Sequence, residues 1–126
     1  MQTFIHYFLH LGFPLIIAKV CFKSDWKKVY LILLATMLVD LDHLLADPIF
    51  KPNRCSIQFH FLHSYYAIGV YFILLFLKKP FRIIGIGLLL HMVTDFIDCL
   101  FMYDTCPTCL ESSPAFPLIE HLFTLF

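Results

Sequence analysis

Four long apolar stretches, separated by short polar segments, make up most of this 126-residue chain. They cover residues 3–22, 28–46, 56–77 and 81–103. Each is close to the roughly 20 residues that a helix needs to cross the hydrocarbon core of a bilayer. The pattern therefore predicts an all-α fold in a single domain, residues 1–126. We expect an integral membrane four-helix bundle with a short interfacial C-terminal tail.

Composition agrees with a membrane location. Hydrophobic residues make up 60% of the chain, charged residues only 14%, and the mean hydropathy is +0.82. These values are typical of integral membrane proteins and unlike those of soluble domains. The formal net charge is zero, so nothing in the sequence suggests a nucleic-acid partner. The first residues lack a basic segment and a small-residue cleavage site, so we expect no cleaved signal peptide.

The basic residues predict an orientation. Most of them flank the first and third connections between the apolar stretches: Lys19, Lys23, Lys27, Lys28, Lys78, Lys79 and Arg82. The second connection contains only Lys51 and Arg54. Because basic loops stay in the cytoplasm, we expect both termini and the second connection on the extracytoplasmic side.

Most of the histidines and several aspartates fall at one level of the predicted bundle. On the last stretch, His91, Asp95 and Asp98 share one helix face, being four and three residues apart. With the predicted orientation, the other three stretches bring their own groups to the same outer level. The additional groups are His6, His10, Asp40, Asp42, His43, His60 and His63. Ionisable groups in membrane segments are by default candidates for function.

This layer has the composition and spacing of a metal site. Imidazole and carboxylate together suit zinc, iron or manganese. Pairs such as His60 and His63, or His91 and Asp95, can present two side chains to one ion. We expect the site to bind a divalent metal, with zinc as the first choice and iron or manganese as alternatives. The residues are enough for two or more ions, or for one ion whose ligands are held by hydrogen bonds from the remaining residues. The expected ligands are His6, His10, Asp40, His43, His60, His63, His91 and Asp95. For any one pair, a hydrogen-bonded core histidine is the alternative.

Two carboxylates are candidates for catalysis rather than for metal binding. Asp42 or Asp98 would position an attacking water, and Asp98 has the alternative of supporting a ligand. On an α-helix Asp42 would lie about 200° from Asp40, so both can face one site only if the α-helix has ended there. Arg54 next to the histidine layer is either a solvated loop charge or a clamp that binds phosphate.

The five cysteines leave several arrangements open. Cys106 and Cys109 could form a disulfide, and Cys55 could reach Cys99 at the outer end of the last apolar stretch. A zinc site on Cys106 and Cys109 is the alternative, without a second pair of the same spacing. Cys21, on the inner side, should stay reduced.

The order of these motifs resembles one bacterial family. Four motifs follow one another over residues 6–98. They are the histidines of the first helix, Asp40-Leu-Asp42-His43, His60-x-x-His63-Ser64 and His91-x-x-x-Asp95. This order resembles the YdjM-like membrane-bound metal-dependent hydrolases, also described as LexA-binding inner-membrane-associated hydrolases, which are distantly similar to zinc phospholipase C and nuclease P1. The resemblance implies a bacterial inner-membrane location and metal ligands, or their immediate neighbours, at His10, Asp40, Asp42, His60, His63, His91 and Asp95. In place of the family's basic, glycine-containing lead into the second histidine pair, this chain has Gln58-Phe59.

Three functions are compatible with these features. The first is a metal-dependent hydrolase of a phosphoester, with membrane lipid as its surroundings and a lipid phosphoester as its substrate. The second is a histidine-box di-iron membrane oxidase or hydroxylase, since two histidine pairs, His6 with His10 and His60 with His63, have the required spacing. The third is a non-enzymatic metal-binding membrane protein. The sequence leaves the oligomeric state open.

Overall fold

The computed structural model describes residues 2–47, 49 and 54–125, and these residues form helices and turns without any strand. The all-α prediction is therefore confirmed. Lys51, used above for orientation, lies outside the described residues. We number five α-helices: α1 (Gln2–Cys21), α2 (Trp26–Ala35), α3 (Tyr65–Leu74), α4 (Phe81–Thr105) and α5 (Phe116–Leu125).

Helix α1 contains one π-helical segment, Phe8–Gly12. Its cause is Pro14, which has no N–H to donate to the carbonyl of His10 four residues earlier. The N–H of Phe13 bonds instead to the carbonyl of Phe8, five residues back. Such single-turn π segments often occur at functional sites. This one contains His10, which is buried.

Helix α2 ends at Ala35 and continues as a 3₁₀ segment, Thr36–Leu45. Positions three apart align along a 3₁₀ helix, so the segment has three ridges. One ridge is buried: Thr36, Val39 and Asp42. A second faces outward: Leu38, Leu41 and Leu44. The third carries Asp40 and His43. The α-helix has therefore ended before Asp40 and Asp42, which is the condition under which both carboxylates can face one site.

The third helix begins later than the apolar pattern predicts. The apolar pattern predicts a helix over residues 56–77, but residues 56–64 form turns with a single 3₁₀ turn at Phe61–His63, and α3 starts at Tyr65. Gln58 adopts a positive φ of 64°, and its side-chain oxygen accepts a hydrogen bond from the N–H of Tyr65. The side chain of Ser64 caps α3 by accepting from the N–H of Ala67. These local bonds fold the stretch back instead of extending the helix.

Helix α4 packs against each of the first three α-helices and carries the glycines that allow close approach. A Cβ on Gly87 would lie 2.6 Å from Oγ1 of Thr36, and one on Gly85 would lie 2.9 Å from the carbonyl oxygen of Tyr71. Small residues at such contacts are typical of packing between membrane helices. They bring the 3₁₀ segment and α3 against the helix that carries His91.

Two apolar clusters hold the helices together. One ties α1, α2 and α4 through Ala18, Val29, Leu33 and Ile83. The other ties the 3₁₀ segment, the turn that contains Cys55 and Ile57, α3 and α4 to the tail. The tail contributes Leu110, Ala115 and Ile119, all fully buried. Part of the predicted interfacial tail is therefore a packed helix, α5, seated against α4.

Two of these helices, α1 and α4, are long and apolar enough to cross a membrane. The α2 helix with its 3₁₀ continuation reaches about 35 Å from the rises of the two helix types. Helix α3 alone, with ten residues, reaches about 15 Å, half of a typical hydrocarbon core.

Candidate metal centre

Three groups of histidine and aspartate side chains meet where α1, the 3₁₀ segment, the histidine loop (residues 54–64) and α4 converge. We name them the central group (Asp40, His43, His63, Asp95), the helix group (His10, His91, Asp95) and the loop group (Asp42, His43, His60). Within each group the ligand atoms lie within 4.8 Å of one another. Each of the three could therefore hold a metal ion.

The central group has the dimensions of a coordination sphere. Nε2 of His63 lies 3.0 Å from Oδ2 of Asp95 and 3.6 Å from Oδ1 of Asp40. Two ligands of a tetrahedral zinc ion lie roughly 3.3 Å apart, given bond lengths of about 2.0–2.1 Å. Although they are close, Nε2 of His63 and Oδ2 of Asp95 are buried without any hydrogen-bond partner. Their separation would allow both atoms to bind one ion.

The helix group shares Asp95 with the central group. Oδ1 of Asp95 lies 3.7 Å from Nε2 of His10, and Oδ2 lies 3.5 Å from Nε2 of His91. Both ring nitrogens of His10 are buried and unpartnered. One oxygen of Asp95 thus faces His10, and the other faces both His91 and His63 of the central group, so the carboxylate is shared between the two groups.

The loop group is joined to the central group by His43. The rings of His43 and His60 stack with centroids 3.9 Å apart, and Oδ1 of Asp42 lies 4.0 Å from Nε2 of His43. Oδ1 of Asp42 is buried and has no hydrogen-bond partner.

The other oxygen of Asp42 organises the histidine loop. Oδ2 accepts the N–H of Leu62 at 2.8 Å and lies 3.2 Å from Nδ1 of His63. An ionised carboxylate can only accept, so Nδ1 of His63 donates, and Nε2 is the nitrogen that faces Asp40 and Asp95 and would bind a metal ion once it has lost its proton. A carboxylate that fixes a histidine in this way is a recurrent feature of metal sites.

The two histidines of the loop, His60 and His63, differ in their pKa values. Burial and the neighbouring His43 lower the pKa of His60 to about 4, so its ring is neutral at neutral pH. For His63, burial lowers the pKa, but the carboxylates of Asp40 and Asp95 outweigh it and raise the pKa to about 10. A proton on His63 offsets the buried carboxylates when no metal ion does so.

A cleft of 430 Å³ opens onto the central group. Asp40 faces it with a side chain that is 44% exposed, whereas that of Asp95 is only 7% exposed. The cleft is lined by His6, Asp40, His43, Leu44, Ile49, Ser56, Asp95, Asp98, Cys99 and Met102. A ligand in this cleft would therefore contact the carboxylate and imidazole edges of the site directly.

His6 and Asp98 form a pair at the cleft, outside the three groups. Nδ1 of His6 contacts Oδ2 of Asp98, and the His6 ring is one-third exposed. Both residues were predicted at the site, His6 as a ligand and Asp98 as a catalytic carboxylate. The structure places both beside the site, and the His6 ring contacts that of His10.

Arg54 bonds to a residue that lines the cleft. Its guanidinium donates to the carbonyl of Ile49 at 2.7 Å and lies over the ring of Phe59 at 4.7 Å. Ile49 lines the cleft, but the guanidinium does not. A role in binding phosphate stays a prediction.

Both candidate disulfides form. Cys55–Cys99 ties the histidine loop to α4, one helical turn beyond Asp95, and Cys106–Cys109 closes a turn before α5. Cys21 is free and exposed. The first disulfide holds the loop ligands against the helix ligands.

Comparison with known proteins gives one match. A model described as "Family of unknown function (DUF6122)" matches residues 1–102. The chain belongs to this family. The matched region contains every residue of the three groups, the His6–Asp98 pair and the Cys55–Cys99 disulfide. No curated protein and no solved structure matches the chain.

Sequence reasoning missed parts of this site that belong to the backbone. The N–H of Leu62 holds Asp42, and the carbonyl of Leu62 accepts the hydroxyl of Tyr71 at 2.9 Å. Residue types do not reveal such contacts, because they depend on the loop conformation. Gln58, which has a positive φ, is part of that loop conformation.

Proposed function

We propose that this chain is a membrane-embedded, metal-dependent hydrolase of a lipid-linked phosphoester. One observation carries the proposal: buried, unpartnered ligand atoms from four segments converge at ion-sized separations beside an open cleft. Buried carboxylates are costly without a counter-charge, and a divalent ion supplies one. Zinc fits the mixture of imidazole and carboxylate best, with iron and manganese as alternatives.

The shared residues favour at least two ions. Asp95 belongs to the central and helix groups, and His43 belongs to the central and loop groups. Divalent ions held there would neutralise phosphoryl oxygens and lower the pKa of bound water. In this assignment the protein provides the ligands, while Asp42 holds the ring of His63 in place. Asp98 holds His6 at the cleft, where the ring meets any ligand that enters.

The distribution of cysteines supports an extracytoplasmic site. Disulfides persist in oxidising compartments, and both disulfides lie in the histidine loop, the outer end of α4 and the segment before α5. The free Cys21 lies at the opposite end of α1, next to the lysines of the first connection. We therefore place the site at the outer face of a bacterial inner membrane, with α1, α2 with its 3₁₀ segment, α3 and α4 as the four spans. The positive-inside rule gives the same orientation.

Phosphoester hydrolysis fits better than histidine-box oxidation. His6 pairs with Asp98, and His60 and His63 fall in different groups, so neither histidine pair serves a single ion. A site at headgroup depth is reached most directly by a lipid that diffuses laterally. Arg54, which bonds to Ile49 in the wall of the cleft, is suited to hold the phosphate, because its planar fork matches two phosphate oxygens.

The deciding experiment combines metal analysis with turnover. Protein purified without chelator should contain two or more equivalents of a first-row divalent metal. It should cleave at least one member of a panel of lipid phosphoesters in mixed micelles, and chelation should abolish this activity. Arg54→Ala should weaken turnover without loss of metal, and His121→Ala, in the exposed face of α5, should change neither. Metal-loaded protein that cleaves no member of the panel would contradict the hydrolase and favour a non-enzymatic metal protein.

A further inference from the structure

A second cavity, which we call the lateral groove, lies between the 3₁₀ segment, α3 and α4. Its volume of 540 Å³ falls within the roughly 300–1,000 Å³ of ligand pockets. Its wall is formed mainly by apolar side chains, among them Ala35, Val39, Leu62 and Leu88. Ala35 and Leu38 are exposed, so the groove is open along one side.

The two hydroxyl groups in the wall are already engaged. Oγ1 of Thr36 donates to the carbonyl of Leu33 at 2.6 Å, and the hydroxyl of Tyr71 donates to the carbonyl of Leu62 at 2.9 Å. The groove therefore offers hydrocarbon and no free hydroxyl proton. A ligand that fits it has no polar groups of its own, because those groups would lose their water without gaining a partner.

The groove leads to the metal centre. Thr36 and Val39, in its wall, share the buried ridge of the 3₁₀ segment with Asp42. At a rise of about 2.0 Å per residue, Val39 and Asp42 are about 6 Å apart along the axis. At the same end, the N–H of Leu62 bonds to the carboxylate of Asp42. An extended hydrocarbon in the groove would therefore end next to the loop group.

From this juxtaposition we infer that the lateral groove binds the hydrocarbon tail of the lipid whose phosphate occupies the cleft. The inference rests on the proposed function and adds a substrate requirement to it. A polar headgroup alone would fill only the cleft, whereas a long-chain lipid would fill both cavities. The open side of the groove lets the tail enter from the bilayer without leaving it.

A photo-crosslinking experiment tests the inference without requiring turnover. The full-length metal-loaded protein is placed in dioleoyl phosphatidylglycerol nanodiscs containing an analogue with a diazirine at the end of one acyl chain. Irradiation should label peptides containing residues 35–39 and 84–88, which include most of the groove's wall. Filling the groove with Ala35→Trp or Leu38→Trp should reduce this labelling several-fold, since both positions are exposed and line the groove.

Leu31→Trp is the matched control. Leu31 is 65% exposed on the same helix but does not line the groove, so this variant should label like the wild type. Unchanged labelling in both groove-filling variants, or equal labelling of all outward-facing leucines, would overturn the inference. So would a crosslink between the groove and a second copy of the chain. Metal content and thermal stability of each variant show whether it has folded.

Kinetics separate this inference from the proposed function. The groove-filling variants should raise KM for dioleoyl phosphatidylglycerol several-fold and leave KM for the short dibutyroyl analogue unchanged. If the groove is labelled but no phosphoester is cleaved, the hydrolase proposal is contradicted while the inference of a lipid-tail site is supported. If both analogues are cleaved and groove filling leaves both KM values unchanged, the lipid-tail site is ruled out and the hydrolase stands.

Discussion

Asp95 and Asp42 show how single side chains at this site serve two purposes. Asp95 directs one oxygen to His10 and the other to His63 and His91. Asp42 directs one oxygen to the loop group and uses the other to hold His63 and the N–H of Leu62. Each carboxylate therefore links parts of the molecule that are far apart in sequence, and the loss of either affects more than one group.

Asp95→Asn should remove metal from the central and helix groups together. An amide keeps the shape but loses the negative charge, and its NH₂ cannot bind a cation. We expect metal content measured by inductively coupled plasma mass spectrometry to fall by at least half. Asp104→Asn, at the exposed end of the same helix, is the control and should retain wild-type metal content. Equal metal content in the two variants would rule out Asp95 as a ligand.

Asp42→Asn should weaken metal binding through His63. Replacing the partner of a metal-binding histidine typically costs about 10–100-fold in metal affinity. Competition with a chromophoric chelator measures this change, and circular dichroism should show unchanged helix content. If affinity stayed at the wild-type value while turnover disappeared, Asp42 would instead act on the attacking water.

At the scale of elements, the histidine loop is the least self-sufficient part of the site. It forms turns rather than a helix, and its position depends on the Asp42 contact and on the Cys55–Cys99 disulfide. The helices that carry the other ligands are held by close packing, notably at Gly85 and Gly87. The loop and the helices should therefore respond differently to substitution.

Removing the Cys55–Cys99 disulfide should cost more than removing Cys106–Cys109. The two bonds span sequence separations of 44 and 3 residues. In the chain-entropy account these bonds contribute about 4 and about 2 kcal/mol, respectively, to the free energy of unfolding. The Cys55→Ala/Cys99→Ala variant should also lose metal, because it releases the loop, whereas Cys106→Ala/Cys109→Ala should not. Thermal unfolding in detergent and metal analysis measure both effects, and equal losses would contradict the assignment.

Gly85→Ala should destabilise the helix packing. The added methyl group would lie 2.9 Å from the carbonyl oxygen of Tyr71 and 2.8 Å from Cβ of Leu74, so the helices must separate. Overpacking of this kind costs about 1–3 kcal/mol. Gly69→Ala in α3 is the control, because nothing lies within 4 Å of its added methyl group. A melting temperature for Gly85→Ala at or above that of Gly69→Ala would show that the contact is not tight.

At the scale of the whole molecule, the two ends differ in chemistry. One end contains the histidine loop, the disulfides and the cleft, and the other contains the lysines of the first connection and the free Cys21. This asymmetry is the basis of the proposed orientation, in which the site is extracytoplasmic.

The native Cys21 provides a direct test of orientation. A membrane-impermeant maleimide should not label Cys21 in intact cells, whereas a permeant maleimide should, because Cys21 is exposed and the proposed orientation places it in the cytoplasm. Ser112→Cys, exposed near the tail, should be labelled by both reagents. Labelling of Cys21 but not of Ser112→Cys by the impermeant reagent would reverse the orientation.

Local pattern was enough to predict the helical fold and groups of histidine and aspartate side chains that could hold a metal ion. Apolar stretches of span length identify helices because backbone groups in an apolar setting must bond within their own segment. His10, Asp40, His43, His60, His63, His91 and Asp95 were recognisable as a set because ionisable residues are rare in such stretches. The alternating direction of the four apolar stretches was enough to predict that these residues lie at one level.

Tertiary structure decided which atoms meet. The apolar pattern of residues 56–77 cannot distinguish a long helix from a turn followed by a short one, since hydrophobicity does not specify which backbone hydrogen bonds form. The loop conformation depends on bonds across the chain, such as the one from the N–H of Leu62 to Asp42, twenty residues away. The same holds for the 3₁₀ form of Thr36–Leu45 and for the sharing of Asp95 between two groups. Hydrophobicity is a property of each residue, but a coordination geometry is a property of several segments packed together, and only the folded chain specifies it.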